Sequence, residues 1–170
     1  MAITKILTPR ADWPDVPNGR EEIEAMFGKF RWRDPIPGER IHKGFVLVEP
    51  EWKGDHLVTA TLPIVGKMTI HKKIEPIIIS VLNQIMDRGS AHLLKLMLCY
   101  CARHKMCNPR RELSTHSWGI AFDVNPNQNR VGTDGSMPQV IIDAFKEHNF
   151  EWGGDWRFRD PMHFQYATGY

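Results

Sequence analysis

Trp118-Gly119-Ile120-Ala121-Phe122-Asp123-Val124 is the stretch on which the fold turns. In an extended chain side chains alternate across the sheet, so Trp118, Ile120, Phe122 and Val124 share one face and Gly119, Ala121 and Asp123 the other. The first set is large and apolar and is expected to face a core. The second is small apart from one carboxylate and is expected to stay open. A carboxylate inside an apolar run is costly to bury without a partner. Asp123 therefore either meets a cation or ends the strand and caps the Asn125-Pro126 turn.

Downstream, Asn125 to Gly135 is rich in Asn, Gly and Asp and reads as a loop. Ser136 and Gln139 stand at capping-box spacing, with Pro138 in the first turn and Val140, Ile141, Ala144 and Phe145 as a core stripe, which predicts a helix near 137–148. Trp152-Gly153-Gly154-Asp155-Trp156 follows as a loop. Met162 to Tyr166 reads as a final strand that sets His163 and Gln165 opposite Met162, Phe164 and Tyr166.

Upstream, Leu93 to Cys99 has strand length and leads into a basic, irregular stretch from Arg103 to Arg111. The clearest helix runs from Ile74 to Arg88, where Ile74, Ile77, Ile78, Val81, Leu82, Ile85 and Met86 form a broad stripe and Gly89 is the stop. Gly44 to Glu49 and His56 to Leu62 predict two strands. Asn18 and Glu21 form a capping box for a helix that packs Ile23, Met26 and Phe27 and stops at Gly28. Residues 1–17, with Pro9, Pro14 and Pro17, are expected to wrap the surface. Helices and strands arrive in blocks, which predicts an α+β fold with a small antiparallel sheet flanked by helices. No repeat interrupts it, so residues 1–170 read as a single domain.

Composition narrows the function classes. With 42% hydrophobic and 25% charged residues, the chain holds enough apolar material for one core and is not a low-complexity tail. A formal charge of +2 is too near neutral for a protein that lives on phosphate attraction, so nucleic acid is not the expected partner. No apolar run reaches signal-peptide or membrane-span length, which predicts synthesis in the cytoplasm and no membrane insertion. Cys99, Cys101 and Cys107 suit free thiols in a reducing compartment, and their spacing is not that of a structural zinc site.

A catalytic metal site needs three nitrogen, oxygen or sulfur donors, and His116, Asp123 and His163 can supply them. Asp160 stands three residues before His163, where it can serve as a general base beside such a metal. On spacing alone the alternatives stay open: His116 and His163 as surface polar residues, Asp160 as the turn residue of Arg159-Asp160-Pro161. Arg103, Arg110 and Arg111 suit a substrate carboxylate or an oxyanion, or form a solvated basic loop.

Ser114-Thr115-His116-Ser117-Trp118-Gly119-Ile120-Ala121-Phe122-Asp123 resembles the S-x-H-x-x-G-x-A-x-D signature of zinc D-alanyl-D-alanine carboxypeptidases and of the L-alanyl-D-glutamate endopeptidases of phage endolysins. Trp152-Gly153-Gly154-Asp155-Trp156 and Asp160-Pro161-Met162-His163-Phe164 are similar to the later motifs of the same family, in the same order. The resemblance is specific over 99–166 and looser over 18–98. It implies a Hedgehog/DD-peptidase-like fold, one Zn2+ held by His116, Asp123 and His163, and Asp160 as catalytic acid/base. It further implies that Arg103 orients substrate, although the family usually has glycine where this chain has Leu98. By the same resemblance Ser114 and Trp118 support the first ligand, and Asp155 and Trp156 shape the cleft.

The activity so implied is zinc-dependent hydrolysis of a peptidoglycan stem-peptide bond, in first place as an L-alanyl-D-glutamate endopeptidase of endolysin type. A D-alanyl-D-alanine carboxypeptidase is the alternative, as is a zinc-containing binding module that does not cut. Without a secretion signal, such an enzyme reaches the wall after lysis, through a holin pore, or from an injection particle.

Overall fold

The computed structural model describes residues 13–170; residues 1–12 of the expected surface segment lie outside the described residues. Among the described residues the architecture is α+β, with four α-helices and short antiparallel sheets.

Helix α1 (Gly19–Phe27) buries Ile23 and Phe27 and ends at Gly28, whose positive φ of 88° reverses the chain. The expected Asn18–Glu21 box does not form. The Asn18 backbone N–H instead donates to Glu22 Oε2 at 2.7 Å, because Gly19 enters the helix with a φ of 79° and the turn is offset by one residue.

Strand β1 (Trp32–Arg33) pairs with β2 (Leu47–Val48), so only the end of the expected 44–49 strand is ordered as one. The chain then forms α2 (Pro50–His56), an element absent from the sequence reading; it buries Trp52. His56 closes that helix, which moves the start of the next strand to Leu57. Strands β3 (Leu57–Leu62) and β4 (Gly66–His71) make an antiparallel hairpin.

Helix α3 (Glu75–Asp87) follows the predicted span closely and buries Ile77, Ile78, Val81, Leu82 and Ile85. Met86, placed on that stripe by periodicity, is 41% exposed. Each fully buried side chain of this kind contributes about 1.5–3 kcal/mol by removal from water.

The sheet that carries the chemistry has four antiparallel strands in the order β5 (Met97–Leu98), β6 (Ala121–Val124), β8 (His163–Gln165), β7 (Glu151–Trp152). Its apolar face meets α4 (Gln139–Lys146): Phe145 stacks on Phe164 with ring centroids 4.2 Å apart and lies 6.2 Å from Phe122. Helix α4 starts later than the predicted 137 because Pro138 sits at its N-cap in an extended conformation, and Ser136 makes no side-chain cap.

The strand around Asp123 is shorter than its alternation suggests. Thr115–Trp118 is a 3-10 turn, and the strand begins only at Ala121. Trp118 therefore does not share the strand's core face; its indole leaves the sheet and Nε1 donates to the Gly28 carbonyl at 3.1 Å. Gly119 does not keep the other face open either. It caps the turn at a φ of 69° and lies against β4, where a Cβ would stand 2.9 Å from the His71 nitrogen. From 121 to 124 the alternation holds: Phe122 and Val124 are buried in the core and Asp123 faces the opposite side.

A candidate metal centre on the β6–β8 pair

Asp123 and His163 are direct cross-strand partners on β6 and β8, so the sheet itself brings them to one point. His116 arrives from the 3-10 turn before β6, which is held by Ser114: its Oγ accepts from the His116 N–H at 3.4 Å. Asp123 Oδ1 lies 3.1 Å from His116 Nε2 and 3.2 Å from His163 Nδ1, and the donor atoms of the three residues all fall within 4.8 Å of one another.

The protonation pattern says what this cluster lacks. His116 Nδ1 is 2.7 Å from the Cys99 carbonyl, which only accepts, so Nδ1 carries a proton. Burial holds the His116 pKa below its ordinary value, outweighing Asp123, so the ring is neutral and its Nε2 is a bare lone pair. That Nε2 is buried without a hydrogen-bond partner. It faces a carboxylate that is itself ionised: burial would raise the Asp123 pKa, but His163, with Nδ1 3.2 Å from Oδ1, holds it down. Two acceptors facing each other at van der Waals distance in a buried site are accounted for by a cation between them. Two imidazoles and one carboxylate are the donors of a three-ligand catalytic metal site, and the residues present fit such an ion.

Beside the cluster lies a cleft of about 160 Å3 whose lining includes Arg103, Ser114, Trp156, Asp160 and His163. Asp160 Oδ1 is buried without a partner. Burial raises the Asp160 pKa and the Asp123 charge adds to that, while His163 and Arg103 oppose it. A buried carboxyl group with no partner and a raised pKa is able to exchange a proton. Arg103 reaches Asp123 Oδ2 at 3.7 Å and is 20% exposed along its side chain. The Trp156 ring stands 5.4 Å from that of His163.

The structure thus brings together His116, Asp123 and His163, with Asp160, Arg103, Ser114 and Trp156 around one cleft. Asp155 does not join them, because its carboxylate turns outward to Lys146 of α4. Trp118 supports the turn only through its buried indole. Of the two further arginines, Arg111 lines the cleft and Arg110 does not.

Sequence reasoning passed over Ser117, whose Oγ accepts from Arg103 N and donates to Arg103 O, both at 3.1 Å, and so fixes that arginine's backbone. It also passed over Thr115 and Gln165, which hydrogen-bond at 3.1 Å behind His163. The strand alternation set Gln165 on the His163 face, and that was its one signal. All three cysteines are free thiols, and none belongs to the donor cluster.

Residues 108–166 match the family model of D-alanyl-D-alanine carboxypeptidases. The match supports the peptidase family that the motifs resemble, and it contains His116, Asp123, Asp160 and His163 but not Arg103. Comparison with curated proteins and with solved structures gives no match. Among the described residues no helix is long and apolar enough to cross a membrane.

Proposed function

We propose that this protein is a zinc-dependent peptidase that cuts a stem-peptide bond of peptidoglycan. One observation carries the reading: His163 of a His–Asp–His donor set and a buried, unpartnered Asp160 carboxyl line the same cleft, inside the segment that matches the peptidase family. Zinc suits two imidazoles and a carboxylate, and when bound it supplies Lewis-acid chemistry that polarises a carbonyl and makes a water acidic near neutral pH.

The chain's own groups do the rest. Asp160 accepts the proton of the attacking water and returns it to the leaving amine as the C–N bond breaks. Its raised pKa suits both halves of that exchange. Arg103, with its backbone clamped by Ser117, offers a guanidinium to the developing oxyanion or to a substrate carboxylate. Lys105 and Arg111 add positive charge to the same cleft, and Trp156, Phe158 and Met106 give it apolar walls.

Within that class the bond is L-alanyl-D-glutamate, on the likeness of the motifs to phage endolysin peptidases, with delivery by lysis, a holin pore or an injection particle. The terminal D-alanyl-D-alanine bond is the second reading, favoured by the description of the matching family. Mass spectrometry of fragments released from purified peptidoglycan, with zinc and after chelation, tests both. A chelator-sensitive fragment beginning at D-Glu is the expected product, and loss of one terminal alanine supports the carboxypeptidase. No release from zinc-loaded protein overturns the peptidase reading in favour of a binding module.

A further inference from the structure

Gln165 on β8 is 2% exposed, and its side-chain amide uses all of its hydrogen-bonding capacity. Its Nε2 donates to Glu151 Oε2 at 3.1 Å and to the Ala167 carbonyl at 3.2 Å. Its Oε1 accepts from Thr115 Oγ1 at 3.1 Å and faces His163 Nε2 at 3.1 Å. Turned over, the amide oxygen would oppose a carboxylate and a carbonyl, so the partners admit a single orientation. An amide oxygen only accepts, and His163 Nε2 must therefore carry a proton. In the neutral ring the lone pair then falls on Nδ1, the nitrogen that faces Asp123 Oδ1 at 3.2 Å.

We propose that Gln165 is a positioning residue for the metal centre: anchored by Glu151, Ala167 and Thr115, it holds His163 in the one tautomer that presents Nδ1 to the metal. The inference rests on the reading of His116, Asp123 and His163 as metal ligands.

The placement follows from the fold. Glu151 and Gln165 are direct cross-strand partners on β7 and β8, so the anchoring carboxylate comes from the sheet edge. Thr115 is the neighbour of His116 in the 3-10 turn, so one amide ties together the two segments that carry the histidine ligands. A ring nitrogen held by a fixed acceptor is oriented as well as protonated, and groups in this relation to a metal typically change its affinity by about 10- to 100-fold.

The test is zinc affinity, read by competition with a chromophoric chelator, together with the 15N shifts of His163 in zinc-free protein at alkaline pH. Gln165→Met keeps the length of the side chain and removes its acceptor. It is expected to weaken zinc binding by about 10- to 100-fold and to populate the Nδ1–H tautomer of His163. Gln165→Glu combined with Glu151→Gln restores an acceptor toward His163 and a donor at the sheet edge, and is expected to recover affinity to within a few-fold.

Parental affinity in Gln165→Met overturns the proposal. So does weakened affinity with His163 still wholly Nε2–H, which would trace the loss to packing alone. Should Gln165→Met not fold, Glu151→Leu at the strand edge frees the amide to turn; a several-fold loss of zinc affinity supports the proposal, and an unchanged affinity overturns it. Absence of peptide release with the zinc results as expected would count against the proposed function and leave the role of Gln165 standing.

Discussion

His116 Nε2 and Asp123 Oδ1 stand 3.1 Å apart in a buried site with no hydrogen bond between them. Both are acceptors, since the Nδ1 proton of His116 is committed to the Cys99 carbonyl at 2.7 Å. Such a pair is unfavourable alone and favourable around a cation. A metal bound between them removes that opposition.

Zinc is accordingly expected to stabilise the fold, and chelation to lower the melting temperature. Binding to the native state alone adds about 2.7 kcal/mol at a free zinc concentration one hundred times the dissociation constant. Asp123→Asn is expected to abolish most of that gain while His116 and His163 remain in place. Calorimetric melts of both proteins, with zinc and with chelator, check this; equal zinc-induced shifts would remove Asp123 from the ligand set.

Asp160 offers a second prediction. Asp160→Asn is expected to keep zinc and lose turnover by about 10^2- to 10^4-fold, the range general acid–base groups contribute. The parent's rate should fall in acid as Asp160 becomes protonated, because the base must be ionised to act. Stability runs the other way. A carboxyl whose folded pKa is raised contributes stability at low pH that is lost as pH rises through that pKa. In chelated protein at neutral pH the Asp160→Asn variant should thus melt a few degrees above its parent, with the gap closing in acid. Loss of zinc in this variant would make Asp160 a ligand instead.

Asp123 and α3 were legible locally, the one by its place in an apolar run, the other by an unbroken apolar stripe, whereas the grouping of Asp123 with His116 and His163 rested on the likeness of the motifs to the peptidase family. The errors have local causes too. Trp118 extends the alternation of β6 backwards, yet it belongs to a 3-10 turn, and a single apolar residue in phase cannot tell the two apart. Helix α2 was invisible because Pro50 to His56 carries one core side chain, Trp52, and an internal Gly54. Strand β4, absent from the sequence expectations, does alternate Met68 and Ile70 with Lys67 and Thr69. For Gln165 the strand alternation gave only its face; its role depends on Glu151 and Thr115, which only the folded sheet brings to it.

Gly119 is a structural hinge on which the site depends. Its φ of 69° lies where L-residues pay about 1–2 kcal/mol. A Cβ there would also stand 2.9 Å from the His71 nitrogen and 3.2 Å from the Ile70 carbonyl carbon, both rigid backbone. Gly119→Ala should therefore destabilise by about 2–4 kcal/mol and weaken zinc binding by displacing His116. Denaturant titration with a parallel zinc competition assay checks it, and a variant of parental stability would show that the β4 contact yields easily.

His71, at the end of β4, predicts the acid limb of stability. Its Nε2 donates to the Phe27 carbonyl at 3.2 Å and its Nδ1 accepts from the Lys73 N–H at 3.1 Å, so the fold holds the neutral ring and ties α1 to the start of α3. Burial pushes its pKa down to about 4, with His56, Lys73 and Lys72 adding to the shift against the pull of the Phe27 carbonyl. A histidine with a depressed folded pKa contributes stability above its unfolded value of about 6.5, and loses it as pH falls through the folded one. In chelated protein, stability should decline between about pH 6.5 and 4, by an amount approaching 3 kcal/mol. His71→Gln keeps a donor and an acceptor but cannot be protonated, so it should flatten that part of the curve even if it lowers stability at pH 7. A variant that follows the parent's decline would place the acid-labile group elsewhere.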